Sequence, residues 1–436
     1  MTNRAFQRLA VKWEPWIIVL LLLGLLGVRV HPLINKPMLA LSYGILPLLM
    51  IGRWKRWIYV ATLDLPLLLL CVMPLISAIW STSAANSIDS FKGVLRATLF
   101  GIYLATHYSL KEQMRLFSWV FGIGTALSLV FSIGLPGYGT GNYNEQTVWV
   151  GIFAYKNYTA LMMTVAAILF VLTALNSRRQ RWISWTLFSI AAALLVLSKG
   201  KTCYAIFAIL LCLLPLFNAA KQKQYKLRVI LILILVLLLG STLVLTVSNL
   251  EFIVVDTLGK SMELNGRMPI WTLILEKVYE RPWLGYGAKG FWTSEEALYV
   301  IYNTWASTVG NVGIGEGETL FNAHSGYLDL LVQYGFLGIF LLIFHFISVL
   351  LRLVSLLFLK TNVATFWMLQ TLIALIFVNY TENLGFLAAD TLWTIYVSIA
   401  LSTTLELKRI RKKQHLNTER ASVNKLVQHG VSKAPI

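Results

Sequence analysis

Residues 229–248 read VILILILVLLLGSTLVLTVS, and residues 326–351 read GYLDLLVQYGFLGIFLLIFHFISVLL. Each is about as long as the roughly 20 apolar residues that an α-helix needs to cross the hydrocarbon of a bilayer. Working outward from them, the chain yields twelve such stretches, at about 15–30, 38–52, 64–80, 90–106, 115–135, 155–175, 182–198, 202–217, 228–248, 326–351, 363–380 and 386–405. The composition agrees: 57% of the 436 residues are hydrophobic and 13% are charged, against about 25% charged in a soluble domain. That excludes a water-soluble enzyme, a disordered chain and a secreted disulfide scaffold. Cys71, Cys203 and Cys212 all lie in apolar runs and are too few for a disulfide framework or a zinc site. The first apolar run has no small-residue cleavage site and reads as an uncleaved anchor.

The net charge of +18 would point to nucleic acid in a soluble chain. Here the basic residues cluster between apolar runs, which is the positive-inside pattern of a membrane protein, so no nucleic-acid partner is expected. With the N-terminus inside, 25 of the 37 Lys and Arg fall on the inner side, in every inner loop and in the tail from Lys408 to Lys433. An even number of spans returns the C-terminus to the same side. The expectation is an all-α integral membrane protein of about 12 transmembrane helices, with one long outer loop that contains short surface helices. Its parts are helices over 1–248, the outer loop at 249–325 with the catalytic elements, helices over 326–405, and a basic inner tail, disordered against the inner leaflet, at 406–436.

The cations left outside become informative, because the charge rule disfavours them: Arg29, Lys36, Lys92, Arg96, Lys156, Lys199, Lys201, Lys260, Arg267, Lys277, Arg281 and Lys289. They point to an anionic ligand, or to ordinary ion pairs with the 14 acids on that side. Lys92 and Arg96 share a helix face four residues apart, where an anion would relieve their repulsion or snorkelling would separate them. In the long loop, Arg267-Met268-Pro269 opens a helix, since proline suits the first turn. Ile270, Trp271, Leu273, Ile274 and Val278 form its apolar stripe, read as a helix on the membrane surface. Arg267 at its start is the preferred anion ligand. Arg281 is 14 residues on, about 21 Å away along the axis, and has a mostly structural part. His324 precedes the 326–351 span at the water–lipid boundary. There it is a base for a hydroxyl proton or a hydrogen-bonded loop residue. Asp329 and Asp390 are placed to pair with cations or to orient His324. No phosphate loop, Rossmann glycine pattern, metal-ligand cluster or hydrolase elbow occurs, and no cofactor is expected.

Several segments together resemble the bacterial O-antigen ligase and polysaccharide polymerase superfamily. They are Gly151-Ile152-Phe153-Ala154-Tyr155-Lys156-Asn157, Leu197-Ser198-Lys199-Gly200-Lys201-Thr202, Asn265-Gly266-Arg267 through Ile270-Trp271, Arg281-Pro282-Trp283-Leu284-Gly285-Tyr286-Gly287, and His324-Ser325-Gly326-Tyr327-Leu328-Asp329 with Tyr334-Gly335-Phe336-Leu337-Gly338. Asn379-Tyr380-Thr381-Glu382-Asn383 looks like a further family motif. The resemblance implies a polytopic membrane glycosyltransferase in the bacterial inner membrane, with both termini cytoplasmic and the long loop periplasmic. Its donor would be a glycan on undecaprenyl pyrophosphate, and its acceptor lipid A–core (a ligase) or a second lipid-linked glycan (a polymerase). His324 would be the base and Arg267 a pyrophosphate ligand, without a metal. Lys92, Arg96, Lys156, Lys201, Arg281 and Asp329 would complete the substrate site. Lys201 stands where the family usually has arginine, so bidentate phosphate contact is lost there. Glu382-Asn383 departs from the commoner Glu-Ser. The roles of Lys199 and Glu382 stay open.

A lipid-glycan flippase is the alternative from another class. It would call for repeated halves and polar mid-membrane residues, and the chain has neither. A lipid-pyrophosphate phosphatase lacks nucleophile spacing. A reporter fused near Gly310 is expected to read out as periplasmic, and a cytoplasmic signal would overturn the topology.

Overall fold

The computed structural model describes residues 2–26, 32–143, 146–153, 155–221, 226–248, 267–304, 307 and 321–431. Expectations for Arg29, Lys260, Gly310 and the acids of 251–263 and 316–318 lie outside the described residues. In chain order the helices are α1 (Thr2–Leu25), α2 (Pro32–Ile51), α3 (Trp54–Ala61), α4 (Leu65–Ser77), α5 (Ala84–His107), α6 (Leu110–Gly134), the single turn α7 (Pro136–Gly139), α8 (Lys156–Asn176), α9 (Arg181–Leu197), α10 (Lys201–Cys212), α11 (Leu214–Lys221), α12 (Lys226–Ser248), α13 (Arg267–Glu280), α14 (Glu295–Tyr302), α15 (Gly326–Leu359), α16 (Val363–Val378) and α17 (Thr391–Val431). One antiparallel hairpin, β1 (Thr140–Tyr143) with β2 (Gln146–Trp149), precedes α8 and pairs Thr140 with Trp149.

The apolar stretches of the sequence fall on helices. Among the described residues, four helical runs are long and apolar enough to cross a membrane: α6, α8, Lys201–Ala220 and α15. A fifth arises if α3 and α4, bent by 93° at their junction, form one span. Asp64 sits in that bend, accepts the Leu67 N–H at 3.3 Å and pairs with Arg352 of α15 at 2.5 Å. The core is built around α8, buried almost throughout from Tyr158 to Ala174, and α16, buried almost throughout from Ala364 to Val378. α8 packs against α6, α9, α10 and α16. The 406–436 tail departs from expectation: α17 continues unbroken to Val431 instead of giving way to disordered chain. The reason is local. Residues 406–429 contain no Pro or Gly, and Glu406 pairs with Lys360 at 2.9 Å and Arg409 at 3.5 Å, with His415 and Glu419 3.2 Å apart.

The apolar stripe of α13 is also used differently. Ile270, Ile274 and Val278, one turn apart, are buried with Tyr286, Phe291, Trp292, Val300, Ala323 and Val332 in a second small core. The stripe therefore seals a protein core and not a lipid surface. That core is locked to α15 by a backbone exchange. At Gly335 (φ 62°, ψ −165°) α15 is broken, so the N–H groups of Phe336 and Leu337 cannot reach the carbonyls of Val332 and Gln333. They donate instead to Pro282 (2.7 Å) and Trp283 (3.3 Å), while Val332 and Gln333 accept from Tyr286 (3.0 Å) and Gly287 (2.8 Å). The Arg281–Gly287 motif thus supplies partners for all four of these groups.

A Cβ on residue 335 would lie 2.3 Å from the Trp283 carbonyl carbon, in a backbone conformation that L side chains avoid. Gly335→Ala is expected to cost about 2–4 kcal/mol, read as a drop in thermal midpoint of the purified protein. Gly44→Ala, with open space around it, should stay within about 1 kcal/mol.

Candidate functional site

The segment before α15 is pinned on three sides. Ser325 caps α15 by accepting the Leu328 N–H (3.5 Å) and donates to the Asn379 carbonyl (3.3 Å). The Gly326 N–H donates to the carbonyls of Asn379 (2.9 Å) and Glu382 (3.0 Å). A Cβ at 326 would come within 2.0 Å of Asn379 Oδ1, so only glycine allows this approach. The Asn379 side chain closes its own turn, donating to Leu375 and Leu384 and accepting from the Leu384 N–H at 3.1 Å. On the other flank, Trp271 Nε1 donates to the Ala323 carbonyl at 2.8 Å. Beneath the turn lies Asp329. One of its oxygens accepts Trp292 Nε1 (2.6 Å) and the Ala323 N–H (3.3 Å). The other accepts Gln333 Nε2 (2.8 Å) and Asn383 Nδ2. Both oxygens are occupied by protein donors, so Asp329 anchors the turn that carries His324.

His324 itself sits at φ 49°, an uncommon left-handed conformation for a non-glycine residue. Its N–H donates to Asn322 Oδ1 (2.8 Å), and its ring stands edge-on to Phe321, with centroids 6.1 Å apart. Burial, then the charge of Arg267, lowers its pKa to about 4. The imidazole is therefore neutral across the physiological range, with a lone pair to accept a proton.

Arg267, the first residue of α13, is paired with Glu382 Oε1 at 3.1 Å. The same oxygen accepts Asn157 Nδ2 at 2.7 Å, from the start of α8. Burial pushes the Glu382 carboxyl up, against the downward pull of Arg267, Asn157 and Lys156. Lys156 lies over the Tyr143 ring at 3.7 Å, so the hairpin borders this cluster. Thr381 and Thr202 join hydroxyls at 3.1 Å, which ties the start of α10, and with it Lys201, to the turn that holds Glu382. Lys199, with φ 55°, donates to Gln146 Oε1 at 3.1 Å.

The expected site residues thus divide. Arg267, His324 and Asp329 converge with the Lys156–Asn157 and Lys201–Thr202 starts. Lys92 is exposed and paired with Asp89 at 2.8 Å, while Arg96, one turn on, is buried and donates to the Ala389 carbonyl at 3.2 Å. Arg281 stacks its guanidinium over Tyr286 at 4.5 Å, past the far end of α13 from Arg267. Glu382 and Asn157 are the residues whose role the sequence did not disclose. Their signal was membership of two of the family-like motifs, Gly151–Asn157 and Asn379–Asn383, which gave neither a role. A cleft of about 490 Å³ opens beside Asp329, lined by polar groups of Asn86, Asn322, Gln333 and Asn383 and by aromatic faces of Trp292 and Phe386.

Residues 186–343 match a family model described as O-antigen ligase. The stretch runs from α9 to the middle of α15 and takes in Lys199, Arg267, Arg281, His324 and Asp329. It bears out the resemblance to the O-antigen ligase superfamily read from the motifs. Comparison with curated proteins finds no match.

Asp329→Asn would turn amide hydrogens toward donors that need an acceptor. It is expected to cost about 2–4 kcal/mol, measured by thermal unfolding of the purified protein against wild type.

Proposed function

We propose that the protein transfers a glycan from undecaprenyl pyrophosphate to a sugar hydroxyl at the periplasmic face of the bacterial inner membrane. The chain would cross that membrane about twelve times, with both termini cytoplasmic. The acceptor is lipid A–core or a second lipid-linked glycan, and the transfer is inverting and metal-independent. The observation that carries this reading is the neutral, half-buried His324 within the field of Arg267, at one end of a largely apolar helical bundle. The family match of residues 186–343 supports glycan transfer of the ligase or polymerase type.

In this reading the acceptor hydroxyl oxygen attacks the anomeric carbon and its proton passes to His324. The bond from that carbon to the pyrophosphate oxygen breaks, and the charge left on the pyrophosphate is held by Arg267 with Lys156 and Lys201. Undecaprenyl pyrophosphate leaves without a proton, so one base suffices, and a single displacement inverts the centre. Glu382 and Asn157 position Arg267. The arriving pyrophosphate offsets the charge of Arg267, which removes part of what lowers the His324 pKa. Donor binding therefore makes His324 a better base.

His324→Ala should lower turnover by roughly 10²–10⁴-fold while donor binding is retained. Arg267→Lys should rescue Arg267→Ala poorly, because the two-pronged phosphate contact is lost. The sign of the pH effect follows from a base that works unprotonated: kcat/KM should hold level as pH falls through 6.5 and drop only toward about 4. The kcat profile of the donor complex should break at a higher pH. A His324→Ala enzyme that keeps more than about a tenth of wild-type turnover would reject His324 as this base, and a kcat/KM break at the ordinary histidine value would reject the lowered pKa.

A further inference from the structure

At the end of the bundle away from His324 lies another cavity, of about 610 Å³. α8 connects the two ends: Lys156 and Asn157 stand at the candidate site, while Thr173 and Asn176 line this cavity. The length of α8 sets them about 30 Å apart, one hydrocarbon thickness. The cavity therefore faces the opposite leaflet.

Its rim carries Lys111 and Arg115 from the first turns of α6 and Lys360 from the end of α15, and no Asp or Glu lines it. Lys360 is answered by Glu406 at 2.9 Å. Lys111 and Arg115 make no ion pair among the described residues, and the neighbouring Glu112 turns back to accept the Ser109 N–H at 2.7 Å. Asn176, Ser177 and Gln180 add neutral hydrogen-bonding groups. The inner wall is apolar, built by Trp119, Phe170 and Phe217. Snorkelling cations alone would not need such a wall. A soluble anion would leave it wet. A molecule with a phosphate at one end and hydrocarbon at the other covers both surfaces.

We propose that this cavity binds the phosphate headgroup of an anionic phospholipid, with Lys111 and Arg115 on the phosphate and the first part of an acyl chain against Trp119, Phe170 and Phe217. The lipid bridges the starts of α6, α9 and α16. The far end of α16 leads into the Asn379–Glu382 turn, so the lipid steadies a helix on which the candidate site depends. The inference is independent of which glycan the protein transfers.

The test uses the full chain in phosphatidylcholine nanodiscs with and without phosphatidylglycerol. Native mass spectrometry reads lipid retention, and thermal unfolding reads stability. Wild type should retain phosphatidylglycerol over phosphatidylcholine and unfold at a higher temperature with it. The double variant Lys111→Gln, Arg115→Gln should lose that preference by roughly ten- to thirty-fold, the effect of two cations on one anionic headgroup. The control Arg178→Gln, Arg179→Gln, which changes exposed cations outside the cavity lining, should keep it. An undiminished preference in the Lys111/Arg115 variant overturns the proposal, and so does an equal loss in the control. If inorganic phosphate in detergent stabilises wild type as much as phosphatidylglycerol does, and the Lys111/Arg115 variant abolishes it, the ligand is a soluble phosphate and the lipid assignment fails.

Discussion

Two hydrogen bonds that α15 does not make with itself organise the end of the molecule that carries His324. In an apolar setting an unpaired backbone group costs several kcal/mol, so a break at Gly335 survives only if something else supplies the missing partners. The Pro282–Gly287 segment supplies all four. This exchange fixes the small core of Ile270, Ile274 and Val278 against the first turns of α15. From there Trp292 reaches Asp329, and Asp329 holds the Ala323 N–H one residue before His324. The bonds from Ser325 and Gly326 to the Asn379–Glu382 turn hold the other flank of the histidine.

Electrostatics then set what that histidine can do. His324 is half-buried and Glu382 buried, and both feel Arg267. The arginine favours the charged form of the carboxylate and disfavours the charged form of the imidazole. One cation thus pulls the carboxyl toward its charged form and the imidazole toward its neutral form. An incoming pyrophosphate would compete with Glu382 for the same guanidinium. In the proposed reaction the pair at 3.1 Å would serve as a placeholder that keeps Arg267 in position before the substrate arrives.

The two ends of the bundle differ in kind. At the His324 end, charges are paired, buried and cross-linked by turns from distant parts of the chain. At the opposite end, cations rim an open cavity over an apolar wall. α8 and α16 join the ends as nearly fully buried helices, with Asn157 and Asn379 at one pole and Asn176 and Ala364 at the other.

The positions of the helices were legible in the sequence, because apolar length is a local property and an apolar stretch in lipid has few alternatives to a helix. The break at Gly335 and the inward turn of the α13 stripe were not, since each depends on which partner surface is present, whereas the continuation of α17 rests on a local signal, the lack of Pro and Gly over residues 406–429. For the site, His324 and Arg267 stood out as polar residues at the borders of apolar runs. The pairing of Arg267 with Glu382, 115 residues away, could not be read off, nor could the part of Asn157. A hydrogen bond between distant residues exists only where helix ends meet. Sequence determined that this chain builds a helical bundle with cations and a histidine beside its apolar stretches. Tertiary structure alone decided that burial and one arginine would hold that histidine neutral, because desolvation and Coulomb forces act across space and not along the chain.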